Sequence, residues 1–366
     1  TFEGLTFAGS KQYGIGGEGV ENINITCCEF FGQCKKAINI DKSYNSTISE
    51  CYVHDTGYGG IYVQGGEKIP LKYGYNKIDN NLLERTSQLG RTFDFAICVH
   101  GQGNVISHNE IRNMSGTSLS TSGNNNIVEY NYVHDCTYLA SDCGSFYNAD
   151  SWTAGGDLIR YNIFANIGSD QFTPHAVYWD GIADQTAYGN LFVNIAGMAI
   201  MMNEVFHQTA YNNIIINTGD SWTVGSSQRL DWFYYGTPSM YHAPGGELWT
   251  RAQSTPVTSD HWKINFPILS QCIWDTEGLD YYNPHVPTAP AFRVVANNVV
   301  VDSKDLVMKY FAVHYTSVYD NAIYKSIDDV GFVDAANGDY RLKDDSPIWT
   351  LIDDFEEIPL EKIGRY

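Results

Sequence analysis

Five short apolar phrases each run into a polar side chain: GIYVQGG at 60–66, AICVHGQ at 96–102, GSFYNAD at 144–150, AVYWDGI at 176–182 and AIMMNEV at 199–205. The residues closing the apolar runs are Gln64, His100, Asn148, Asp180 and Asn203. If the phrases stack on one another, these five form a column although 23–48 positions separate consecutive members. Asp150 and Glu204 lie immediately beyond, Asp142 lies just before the third phrase, and Trp152 and Trp179 stand beside the acidic positions. Carboxylates and amides along one strand edge, with aromatic rings next to them, are what a groove needs to move protons on a bound substrate and to stack against it. His100 adds a group whose charge changes near neutral pH, suited to bonding a substrate or tuning a carboxylate. Each of these residues is also an ordinary turn residue when taken singly. His54 and His134, in the two VHD phrases, are read as turn residues.

Stacking is what the rest of the sequence demands. A second phrase recurs as HNEIRN (108–113), YNYVHD (130–135), YNIFAN (161–166), GNLFVN (189–194), NNIIIN (212–217) and NNVVVD (297–302), with weaker copies at 28–33, 51–55, 81–85 and 321–325. Anchored on its first residue, the phrase falls at 28, 51, 81, 109, 131, 162, 190, 213, 298 and 321, and Asn holds eight of these ten anchors. Two short strands in each repeat of 22–31 residues describe one coil of a parallel β-solenoid. Asn recurring at one phase predicts a ladder of side-chain amides bonded from coil to coil. The fold class is therefore all-β, a single-stranded parallel β-helix forming one domain over 1–366. The interval from 213 to 298 is an aromatic-rich insertion, 218–296, over one face; it carries five of the eight tryptophans, suited either to stacking on sugar rings or to packing the loop down. A tail, 326–366, is placed over the open C-terminal end. The opening TFEGLTF already alternates like a strand, so an N-terminal portion is expected to lie outside this chain.

Composition narrows the partners. The 22 basic and 42 acidic side chains give a net charge of −20, which argues against nucleic acid and against an anionic membrane surface. No apolar run approaches the roughly 18–20 residues of a membrane span. The 34 Gly and 29 Asn, beside only 11 Pro, fit a chain that turns often. The eight cysteines have no zinc-ligand spacing, and no metal site is read from them. Cys28 and Cys51 share a phase in adjacent coils, close enough for a disulfide.

The segment SDCGSFYNADSWTAGGDLIRYNIF (141–164) followed by HAVYWDG (175–181) resembles the pectin-lyase-like right-handed β-helix proteins, most of all glycoside hydrolase family 141. The resemblance runs from about residue 20 to the end. It implies a secreted or periplasmic enzyme acting on a glycan, with α-L-fucosidase and xylanase activities known in the family. It puts the family carboxylates at Asp142 and Asp180. The candidates for substrate binding are His100, Asn148, Trp152, His175, Trp179 and Glu204. Two positions depart from the family pattern: Gly181, where a second Asp is common, and Ser151, between Asp150 and Trp152.

Glycoside hydrolysis needs two carboxylates, one to protonate the leaving oxygen and one to act as base or nucleophile. Asp142 precedes its strand and Asp180 follows the next, so full extension would hold them up to about 20 Å apart; a bend before Gly144 is required, and Asp150 lies closer to Asp180 in phase. All three stay as candidates. Hydrolysis calls for no cofactor. Two other readings remain: a polysaccharide lyase, which needs a cation or Ca²⁺ at a uronate and has only Arg91 and Arg160 near in sequence, and a non-catalytic carbohydrate-binding solenoid.

Overall fold

A computed structural model describes residues 1–203, 207–219, 222–227, 245–272, 292–307 and 316–366, with Asp150, Trp222, Ser226 and Ser227 described by backbone alone. The chain winds into coils whose strands form three parallel sheets, two of eleven strands and one of ten among the described residues, with Lys72–Tyr73 added antiparallel beside Ile61–Glu67 in the ten-stranded sheet. In one representative coil, Ile97–Gln102 belongs to sheet I, Val105–Ser107 to sheet II and Glu110–Arg112 to sheet III. No described helix is long and apolar enough to cross a membrane.

Each coil thus holds three strands where the repeats suggested two. Sheet II strands are two to four residues long, and only two residues separate them from sheet III, so both strands merge into a single apolar phrase in the sequence. The first linking residue is left-handed, as at His108 (φ 53°), Tyr130 (57°), Tyr161 (52°) and Asn212 (58°). The second is the anchor asparagine, which turns inward and is fully buried from Asn81 through Asn298.

The amide ladder runs unbroken from Asn81 through Asn109, Asn131, Asn162, Asn190, Asn213 and Asn298 to Asn321. Each Nδ2 donates to the next Oδ1 at 2.9–3.0 Å. Each Nδ2 also donates to a backbone carbonyl one coil back, as Asn162 does to Val128, and each Oδ1 accepts a backbone N–H, as that of Asn162 does from Asn131. A buried amide left unpaired is costly, and this arrangement pairs both of its ends. Behind the ladder the apolar rows align in register: Ile106, Val128 and Ile159 on sheet II, and Ile111, Val133 and Phe164 on sheet III, all with essentially no exposed surface.

All eight cysteines are free thiols. No disulfide joins Cys28 to Cys51: both occupy the ladder phase, but each thiol donates to a backbone carbonyl, Cys28 to Thr26 and Cys51 to Ser49, standing in for the missing amides. Burial pushes the Cys51 thiol up to about 12, so it stays protonated.

The tail does not cap the end of the solenoid. Val330, Phe332, Ile348 and Ile352 pack onto sheet III, where Leu191, Val193, Ile214 and Ile216 point outward and apolar. The chain then runs back along the coils, exchanging hydrogen bonds between Glu356 and Asn212 and ending with Tyr366 on Asp79 and Asn80. Apolar side chains at positions that would otherwise face water give it this track.

Candidate active site

Sheet I has the longest strands, six to eight residues in the coils of Ile97–Gln102, Leu119–Asn124, Gly144–Ser151 and His175–Ile182. Register fixes which side chains meet. Gln64, His100 and Ser122 are aligned; the offset set by Leu119 and Phe146 then brings Ala149 into line, followed by Asp180 and Asn203. Glycine follows the column at Gly65, Gly101, Gly123 and Gly181. A Cβ on Gly101 would come within 1.9 Å of the Gly65 carbonyl oxygen, and one on Gly123 within 1.8 Å of that of Gly101. Gly181 has φ 70°, a left-handed backbone that glycine adopts without strain.

Asn148 is not in the column. It lies one residue out of step, faces the interior, accepts from the Thr121 backbone N–H at 2.8 Å and donates to the Thr121 hydroxyl at 2.8 Å. Trp179 points inward as well and belongs to the core. Trp152 is buried edge-to-face against Trp249, with ring centroids 5.4 Å apart. Neither tryptophan offers a ring face for stacking, because both are closed over by protein. In the insertion, Trp249 and Trp262 are likewise buried in the cluster that packs this segment onto Trp152 and Ala183. Its other tryptophan side chains, and Tyr234, Tyr235, Tyr241, Tyr281 and Tyr282, lie outside what the structure describes, as do Glu204 and the Asp150 side chain.

The structure does bring Asp180 and Asp142 together. Asp180 Oδ2 accepts from Tyr147 Oη at 2.9 Å, and Oδ1 accepts from Asn203 Nδ2 at 2.6 Å. Asn203 Nδ2 also lies 3.5 Å from Tyr178 Oη, which donates to Asp142 Oδ1 at 3.4 Å. These three links cap the separation between the two carboxylates at about 9.5 Å, the upper end of the spacing used by inverting glycosidases. Tyr147 and Tyr178 are register partners, packed edge-to-face at 5.3 Å, so their hydroxyls are fixed by the sheet itself. His175 meets the Tyr178 ring at 5.2 Å and accepts the Met198 backbone N–H on Nδ1 at 3.2 Å, which leaves the ring proton on Nε2.

His100 stands apart. Three coil steps of about 4.8 Å separate it from Asp180, too far for direct proton exchange. It contacts Tyr62 Oη at 3.3 Å, and burial pulls its pKa down, favouring the neutral ring. Arg160 is on sheet II, paired with Glu129 at 2.7 Å. His54 and His134 sit just before the left-handed corners at Asp55 and Asp135, each bonded to the aspartate that follows.

Two tyrosines the phrases pointed past, Tyr147 and Tyr178, therefore complete the cluster. The signal was their position two residues before Ala149 and Asp180, outward on the same strand. Among the described residues no group of three or more His, Cys, Asp or Glu is placed to hold a metal ion.

The profile of a family described as "Right handed beta helix region" matches residues 1–87. The chain is a right-handed parallel β-helix. A comparison with curated proteins finds no match. Among solved structures, it is similar to XylC in complex with xylose (13% identity, 88% of this chain and 50% of that one, TM-score 0.48) and to the alginate lyase AlyF-OU02 in complex with G6 (10%, 87% and 80%, TM-score 0.39). The chain thus spans about half the length of XylC. At such identities the likeness concerns the fold alone.

Proposed function

We propose that the outward face of sheet I hydrolyses a glycosidic bond, with Asp142 and Asp180 as the carboxylate pair. The observation that supports this is the bridge through Tyr178 and Asn203, which holds two carboxylates 38 positions apart in sequence within about 9.5 Å on one face. In this reading Asp180, with both oxygens held as acceptors, takes a proton from water as the water oxygen bonds to the anomeric carbon. Asp142, at the exposed rim, gives its proton to the departing glycosidic oxygen as the C–O bond breaks. A hydroxyl standing between the carboxylates suits a gap wide enough for that water, and so inversion at the anomeric carbon.

A second reading, β-elimination, is favoured by one observation: the cations Lys68 and Arg251 line a cleft beside the column. Turnover of a glycan panel in ¹⁸O-labelled water separates the two. Hydrolysis places one ¹⁸O at the new reducing end of each product; elimination places none and yields an unsaturated sugar absorbing near 235 nm, a general property of such products, at about that wavelength. Products without label overturn the hydrolytic reading.

A further inference from the structure

Two excursions build a wall beside the column. One is the turn that follows the strand Ile61–Glu67, from which Lys68 reaches across to Thr153, 85 residues later, its Nζ donating to Thr153 Oγ1 at 2.5 Å. The other is the inserted helix Glu247–Gln253, tied in through Thr153 and Thr255, whose hydroxyls lie 3.3 Å apart. Between this wall and sheet I lies a cleft of about 510 Å³, whose floor includes Ser122 and Ala149 of the column. Ala149 is the register partner of Asp180, one coil away.

The charge in this cleft runs against the rest of the molecule. The chain carries −20 overall, yet no Asp or Glu is among the described residues that line the cleft, while Lys68 and Arg251 both do. Arg251 pairs with Glu247 one turn back on its helix. Lys68 has only a neutral hydroxyl, with no carboxylate within ion-pair distance among the described residues. The Trp152 indole N–H, at the cleft wall, also lacks an acceptor among the described residues. A half-buried ammonium without a counter-charge is costly unless a ligand supplies one, and burial alone pushes the Lys68 pKa down to about 8.

We infer that this cleft is a subsite for an anionic substituent of the glycan, a carboxylate or a sulfate ester, held by Lys68 with Arg251 at its edge, next to the bond presented to Asp180. The inference deepens the hydrolytic reading by naming its substrate class, and it rests on that reading for what happens to the bound sugar. An anion held by Lys68 requires the ammonium form, so affinity falls as pH rises through about 8 and beyond; the charged groups around it are Glu67 and Lys72 on its own turn and the Arg251–Glu247 pair on the facing helix.

The test is calorimetric titration at pH 6.5 of the intact protein, Lys68→Met and Lys68→Arg, with tetragalacturonate as the carboxylate probe, a sulfated galactotetraose as the sulfate probe and neutral xylotetraose as control. One anionic probe is expected to bind the parent protein at least ten-fold more tightly than the neutral one. Lys68→Met should lose that margin and Lys68→Arg should keep most of it, with unchanged melting temperatures in both. Which anion binds decides between carboxylate and sulfate. Failure of both anionic probes to bind, or equal binding by Lys68→Met, overturns the inference. Lys68-dependent binding without ¹⁸O-labelled products leaves the subsite standing and removes the hydrolytic reading instead.

Discussion

The corner between sheets II and III and the outward face of sheet I are built from the same coils and obey opposite rules. At the corner one residue repeats: asparagine in eight successive coils, each amide bonded to the next. On sheet I the aligned residues are Gln64, His100, Ser122, Ala149, Asp180 and Asn203, no two neighbours alike. Repetition satisfies hydrogen bonds in a stack, where each coil sees only its neighbours. Variety is what a site requires, because acid, base and positioning group must differ. Where a solenoid stops repeating, its chemistry is to be sought.

The strongest challenge to this contrast falls on the carboxylates. Asp142→Asn and Asp180→Asn should each lower kcat/KM on the glycan identified by the ¹⁸O screen by roughly 10²–10⁴. The double variant should be little worse than the poorer single one, since the pair acts as a unit. Steady-state kinetics on the three variants check this, and two independent, multiplicative losses would break the pairing.

The ladder should respond in the other currency. Asn162→Ala strips the acceptor from Asn131 Nδ2 and its backbone N–H, and a donor from Asn190 Oδ1, all buried. Unmade bonds of this kind cost on the order of 3 kcal/mol together. Denaturant unfolding should show that loss; a change under about 0.5 kcal/mol would mean the ladder is ornamental to stability.

A smaller effect concerns the second, interior amide row, Asn76, Asn104 and Asn126, which ends on Asp157. Asp157 is fully buried, accepts from Asn126 and from the Thr121 hydroxyl at 2.6 Å, and burial pushes its pKa up to about 7. A carboxyl raised in the folded state stabilises most below its unfolded pKa near 4, and that contribution is lost as pH rises through about 7. Melting temperature should therefore fall from pH 4 to pH 7 by a few degrees through this group. Asp157→Asn, which extends the row by one more amide, should flatten that slope. A slope unchanged by the substitution would assign it to other groups.

Much of this was written in the sequence. Asn at one phase announced the coil and its ladder because a stack turns sequence period into spatial adjacency. Sheet II stayed hidden because strands such as Val105–Ser107 are three residues long and joined to the next by only two. The strand Leu119–Asn124 gives no signal in the sequence because LSTSGN has no apolar alternation. Aligning phrase ends places Asn148 outward, and a slip of one residue reverses the face of a strand. Trp179 is adjacent to Asp180 in sequence, but neighbours along a strand point to opposite faces. The Lys68 cleft was illegible, since it exists only when a turn at 68 and a helix at 247–253 fold against the coil that carries Thr153. Asp142 and Asp180 were named from sequence, but what joins them is Tyr178, whose hydroxyl position no spacing reveals.

The most direct measurement is turnover per folded molecule for Asp180→Asn and Asn162→Ala, taken side by side at a temperature where both are folded, together with their melting curves. The account predicts a crossed result: Asp180→Asn keeps the parent melting temperature and loses turnover, while Asn162→Ala melts earlier and turns over within about two-fold of the parent. Undiminished turnover in Asp180→Asn would contradict it.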